Sequence, residues 1–76
     1  MSNRDALKEE LLRTDGEFRR LYEEHRDCER RLQDIYQKSL LSQEDEIREK
    51  QIKLHKLALK DRMEQILRTH EAGVTA

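Results

Sequence analysis

Between Ile47 and Leu67, in IREKQIKLHKLALKDRMEQIL, the apolar residues fall on two faces of a single helix. At about 3.6 residues per turn, Ile52, Leu59, Met63 and Ile66 gather on one side, and Ile47, Leu54, Leu57 and Ala58 on the other. One neighbouring helix covers only one stripe. The second must meet another helix of the same chain, a second copy, or a different protein, so this stretch demands a helical architecture with more than one packing surface.

Bulk composition argues against a fold at all, since 43% of the 76 residues are charged and 34% apolar, with no Trp and a single Phe. Periodicity overrules it. The apolar residues recur at three and four, and the absence of proline leaves long helices uninterrupted. A chain this short forms one domain at most and buries a modest core, so burial and ordering entropy nearly cancel and help from self-association is expected. Cys28 is the only cysteine, which excludes an intrachain disulfide, and no Cys/His group has the spacing of a structural zinc site. With 16 basic and 17 acidic residues, the net charge of −1 exerts no general pull on nucleic acid or anionic lipid. The charged start, MSNRD, and the lack of any membrane-length apolar run predict a cytoplasmic protein, where a lone thiol is at ease.

Taken in order, Ser2 or Asn3 can cap a short helix over about residues 5–13, with Asp5 in its first turn and Leu7, Leu11 and Leu12 as a narrow stripe. So short a helix needs a surface to lie on. The segment Thr14-Asp15-Gly16-Glu17 interrupts it as a turn or a kink; Thr14 or Asp15 can cap the next helix, and Glu17 three after Thr14 fits a capping box. That second helix, over about 17–37, carries an a/d seam of Phe18, Leu21, His25, Cys28, Leu32 and Ile35, widened by Tyr22 and Tyr36. Its other face holds mixed charges, with Asp27–Arg31 and Asp34–Lys38 at helical spacing. Ser42 is the expected cap of a third helix over about 43–70, with Glu44, Asp45 and Glu46 in its first turn and Glu46–Lys50 and Glu49–Lys53 as surface pairs. This helix stops before Gly73, and residues 72–76 fray.

A connection of about five residues makes the long helices antiparallel neighbours, with Leu40 and Leu41 tucked under the turn. The pairing sets Phe18 against Met63, Leu21 and Tyr22 against Leu59, and Cys28 against Ile52. The fold class is therefore all-α: an antiparallel, coiled-coil-like helical hairpin preceded by a short N-terminal helix. The third helix overhangs the second around Met63, Ile66 and Leu67, where the short helix can cover it. Ile47, Leu54, Leu57 and Ala58 look outward as the candidate protein-interaction stripe.

Phe18, Leu21, Glu24 and His25 in EFRRLYEEH, with Lys56, Leu57, Leu59, Lys60 and Asp61 in KLALKDRM, resemble the two signature segments of the YdcH-like family of small bacterial proteins. The resemblance spans about Leu11 to Leu67. It implies a helical hairpin or coiled coil of uncharacterised role, with no established cofactor. Cys28 stands where that family tends to carry a larger aliphatic residue, and Leu54 stands among positions expected to be polar.

Several chemistries can be weighed on named residues. His25, Cys28 and His55 offer up to three metal ligands, but a half-buried imidazole and a small apolar thiol are the plainer account, so no metal or cofactor is expected. Asp61 falls near Arg20 in the pairing, where an interhelical ion pair would fix register; alternatively Lys60 and Asp61 belong to a partner-recognition surface. Lys53, Lys56 and Lys60 share one side and could serve a nucleic-acid accessory protein, yet a stacking platform and net positive charge are missing. A helical hairpin provides no deep pocket for a small-molecule substrate, and interfacial aromatics for membrane binding are lacking on the third helix. The expectation is a non-catalytic interaction or structural module, self-associating as a dimer through the outer stripe, with a further protein partner unidentified.

Overall fold

A computed structural model describes the backbone of residues 3–75 and the side chains of residues 3–73. Three helices succeed one another, α1 (Asn3–Thr14), α2 (Gly16–Tyr36) and α3 (Gln43–Thr75), with no strand among the described residues. The antiparallel hairpin of α2 and α3 is held by the seam expected from the spacing: Phe18, Leu21, Cys28, Leu32 and Ile35 of α2 are buried with Ile52, Leu59 and Ile66 of α3, while Met63 is only partly buried against them. Three of these α3 positions, Ile52, Leu59 and Ile66, repeat every seventh residue, as a continuous two-helix seam requires.

The interruption before Gly16 is a true turn made at one residue. Asp15 adopts an extended conformation, and its carboxylate accepts from the Phe18 amide at 3.0 Å, capping α2. Thr14 stays inside α1, its hydroxyl donating to the Glu10 carbonyl, and Glu17 reaches across to Arg62 instead of closing a capping box. The turn sends α1 back along the overhanging part of α3. Arg4 pairs there with Glu64 at 3.0 Å and with Glu71 at 2.8 Å. Under this lid Leu11 and Leu67 are almost fully buried, with Leu7, Leu12 and Met63 packed against them. The short helix thus finds the surface its narrow stripe needs. Whether Ser2 caps α1 falls outside the described residues, and Asn3 is already helical.

The turn between α2 and α3 is polar. Ser42 and Asp45 satisfy each other reciprocally: the Asp45 amide donates to the Ser42 hydroxyl and the Ser42 amide to the Asp45 carboxylate, both at 3.1 Å. Lys38, at the end of the hairpin's first arm, donates to the same carboxylate at 2.8 Å. This takes Lys38 away from the pairing expected with Asp34. Leu40 and Leu41 do not tuck beneath the turn, being 87% and 36% exposed. The apolar seam already ends at Ile35, and a connection pinned by polar contacts leaves these leucines no buried surface to reach.

At the far end α3 does not stop before Gly73 but continues to Thr75, so residues 72–75 extend the helix instead of fraying. Gly73 takes no positive φ here, and a glycine inside a helix costs roughly 1 kcal/mol against alanine without forcing a stop. Glu49–Lys53 forms at 3.6 Å and Asp27–Arg31 at 3.1 Å, whereas Glu46–Lys50 is not among the ion pairs of the described residues.

This packing has two measurable consequences. Phe18 has no exposed surface, so Phe18→Ala is expected to cost about 3–5 kcal/mol, most of the stability of so small a fold, seen as a collapse of the urea midpoint monitored by circular dichroism. The Lys38 ammonium, with the Ser42 amide and hydroxyl, holds the Asp45 carboxyl at about 2, down from an ordinary 3.8. A carboxyl depressed by folding contributes stability above its unfolded pKa and loses it as pH falls through the folded one. Asp45→Asn should therefore melt below the wild type at neutral pH, with the gap closing as the pH drops from about 3.8 to about 2.

Candidate functional site

The outward side of α3 carries the largest aliphatic residues left in water within a helix. Ile47 is 58% exposed, Leu54 69% and Leu57 55%, and Ala58 beside them is exposed too. They remain so because α2 takes the opposite face of α3, through Ile52 and Leu59, and α1 reaches only its distal part. The structure thus places all four residues of the expected interaction stripe on one open surface.

Two furrows flank the α2/α3 seam. One, of about 400 Å³, gathers His25, Glu29 and Tyr36 from α2 with Lys53, Lys56, Leu57 and Lys60 from α3. Glu29 lines it 3.5 Å from the His25 imidazole and 3.6 Å from the Lys56 ammonium. Beside it the Tyr36 hydroxyl, then Lys53, draws the Glu49 carboxyl below its usual range, and Tyr36 and Glu49 push the Lys53 ammonium up. Two of the three lysines of the basic stripe, Lys53 and Lys56, are therefore already matched with carboxylates.

The second furrow, of about 600 Å³, is floored by Cys28, Ile35 and Ile52 and edged by Arg31, Lys38, Arg48 and His55. His25 and His55 consequently line different sides of the seam, which separates the ligands that the sequence could have drawn together. Among the described residues no group of three His, Cys, Asp or Glu side chains converges as a metal site. Cys28 is 5% exposed, and burial pushes its thiol pKa up, a sulfur filling space in the core.

The two segments singled out in the sequence divide between seam and furrow. Phe18, Leu21 and Leu59 are buried between the helices, whereas His25, Lys56, Leu57 and Lys60 meet along the smaller furrow. Asp61 stands apart. It is exposed and, among the described residues, makes no ion pair with Arg20; the neighbouring Arg62 bridges the helices instead, to Glu17 at 3.1 Å. The hairpin register displaces that link by one residue, leaving Asp61 on the outer face in line with Leu54 and Leu57.

A family model described as a protein of unknown function, DUF465, matches residues 18–67. The chain belongs to this family. DUF465 includes the YdcH-like small proteins, so the resemblance carried by the two segments holds. No curated protein and no solved structure matches the chain. The DUF465 match opens at the fully buried Phe18 and closes at the almost fully buried Leu67, so it frames the hairpin seam.

Two features escaped sequence reasoning. The Arg4 bridge to Glu64 and Glu71 joins residues some sixty positions apart and has no local signal. The Lys38–Asp45 contact had a partial one, since an acid three residues after a serine cap is the reciprocal capping pattern that fixes the Asp45 carboxylate, although nothing in that pattern points to Lys38. For Asp61, exposure without an ion pair sets the expectation: Asp61→Asn should leave the stability of the isolated chain within about 0.5 kcal/mol of wild type in thermal melts.

Proposed function

We propose that the protein is a non-catalytic structural or protein-interaction module that self-associates as a dimer through Ile47, Leu54, Leu57 and Ala58 of α3. The observation that carries this reading is the exposure of three large aliphatic side chains along the middle of a well-packed helix, at 58%, 69% and 55%. A small fold gains little by leaving such a stripe in water, and burying it against another surface returns roughly 25 cal/mol for each Å² removed. The non-catalytic part is supported by shape, because the two furrows along the α2/α3 seam and a smaller hollow near Asp15 and His70 are open troughs and not enclosed pockets. No helix among the described residues is long and apolar enough to cross a membrane.

Sedimentation equilibrium over low to high micromolar concentration tests the proposal. The wild type is expected to dimerise with rising concentration, and Leu54→Glu to remain a monomer of unchanged helicity. A wild type that stays monomeric throughout would overturn self-association and leave the stripe to a heterologous partner.

A further inference from the structure

We infer that the second copy lies antiparallel on α3, with Leu54 of each chain against Leu57 of the other and Lys50 of each against Asp61 of the other. The inference rests on the self-association proposed above and specifies its geometry. Along the outer face of α3, Ile47, Lys50, Leu54, Leu57 and Asp61 alternate at three and four, a second heptad seam on the side away from α2. Its exposed leucines occupy the middle, with a cation toward the N-terminal side and an anion toward the C-terminal side.

Lys50 and Asp61 are both exposed, and within the chain neither makes an ion pair among the described residues. Several other charged groups on α3 are engaged, Lys53 with Glu49, Lys56 with Glu29, Arg62 with Glu17 and Glu64 with Arg4, and Lys50 and Asp61 are the two charges that lie in line with the outer leucines. An aspartate in line with a leucine seam is out of place in an isolated helix. It fits when a lysine from another chain faces it.

The arrangement of these charges selects the direction. A parallel pair in register would set Lys50 against Lys50 and Asp61 against Asp61, like charges bracketing the apolar centre on both sides. Reversing one helix converts both clashes into attractions. A two-fold axis between Leu54 and Leu57 then repeats each contact, so one sequence supplies two leucine layers flanked by two Lys50–Asp61 pairs. Shifting one helix by a heptad sets Ile47 against Leu57, where the first alignment sets it against Glu64, but leaves Lys50 opposite Leu54 and Asp61 opposite Gln43, with neither charge answered. Charge complementarity therefore favours the first.

Reversing the charges reads the alignment directly. Sedimentation equilibrium of wild type, Lys50→Glu, Asp61→Lys and the double reversal is expected to show each single variant dimerising about tenfold more weakly, since two symmetry-related attractions become repulsions. The double reversal should return to within about threefold of wild type. Both sites are exposed, and circular dichroism melts verify that each variant folds. Weakening by the single variants without recovery in the double, or no weakening at all, overturns the antiparallel alignment even if Leu54→Glu abolishes dimerisation. A monomeric wild type overturns the self-association beneath it, so the two failures are distinguishable.

Discussion

A helix of 33 residues cannot be covered by one of 21, and the rest of the structure is an answer to that mismatch. At 1.5 Å per residue α3 runs roughly 50 Å, some 18 Å more than α2. The surplus carries Ile66 and Leu67, apolar residues that would stand in water if the hairpin were the whole fold. The single extended residue Asp15 turns α1 back over this end, where Leu11 and Leu67 are buried in one core and Arg4 clamps Glu64 and Glu71. The clamp is polar at the rim and apolar underneath, so direction comes from the charges and burial from the leucines.

The opposite end is governed by different physics. There the chain reverses without an apolar plug, using a helix cap in which Ser42 and Asp45 exchange hydrogen bonds while Lys38 ties the cap to the preceding arm. An end closed by hydrogen bonds can leave Leu40 in water. The two ends thus differ in how they respond to solvent: acid weakens the turn through Asp45, whereas the packed end depends on apolar surface.

Much of this is legible in the sequence, and the divisions have physical causes. Spacing at three and four identifies the seam from Phe18 to Ile35 and its partners Ile52, Leu59 and Ile66, because burial selects the side chain by position on the helix. The outer face of Ile47, Leu54, Leu57 and Ala58 is legible for the same reason. What composition and spacing do not supply are the long-range ion pairs. Arg62 and not Asp61 crosses to α2, because charged tips reach several ångströms and a one-residue displacement costs little at an exposed edge. Local signals also mislead where two rules compete. Gly73 reads as a stop, yet helix continuation absorbs it, and Leu40 and Leu41 read as core although the turn beside them is already satisfied by polar contacts.

The placement of the sole thiol bears on how copies of this chain can associate. Cys28 is walled into the α2/α3 seam, and burial disfavours its thiolate, the form that attacks a disulfide or an oxidant. Copies meeting, as proposed, through the outer face of α3 would therefore have no sulfur at hand with which to lock themselves together. A dimer of the proposed kind would stay reversible, rising and falling with the amount of protein whatever the redox state around it.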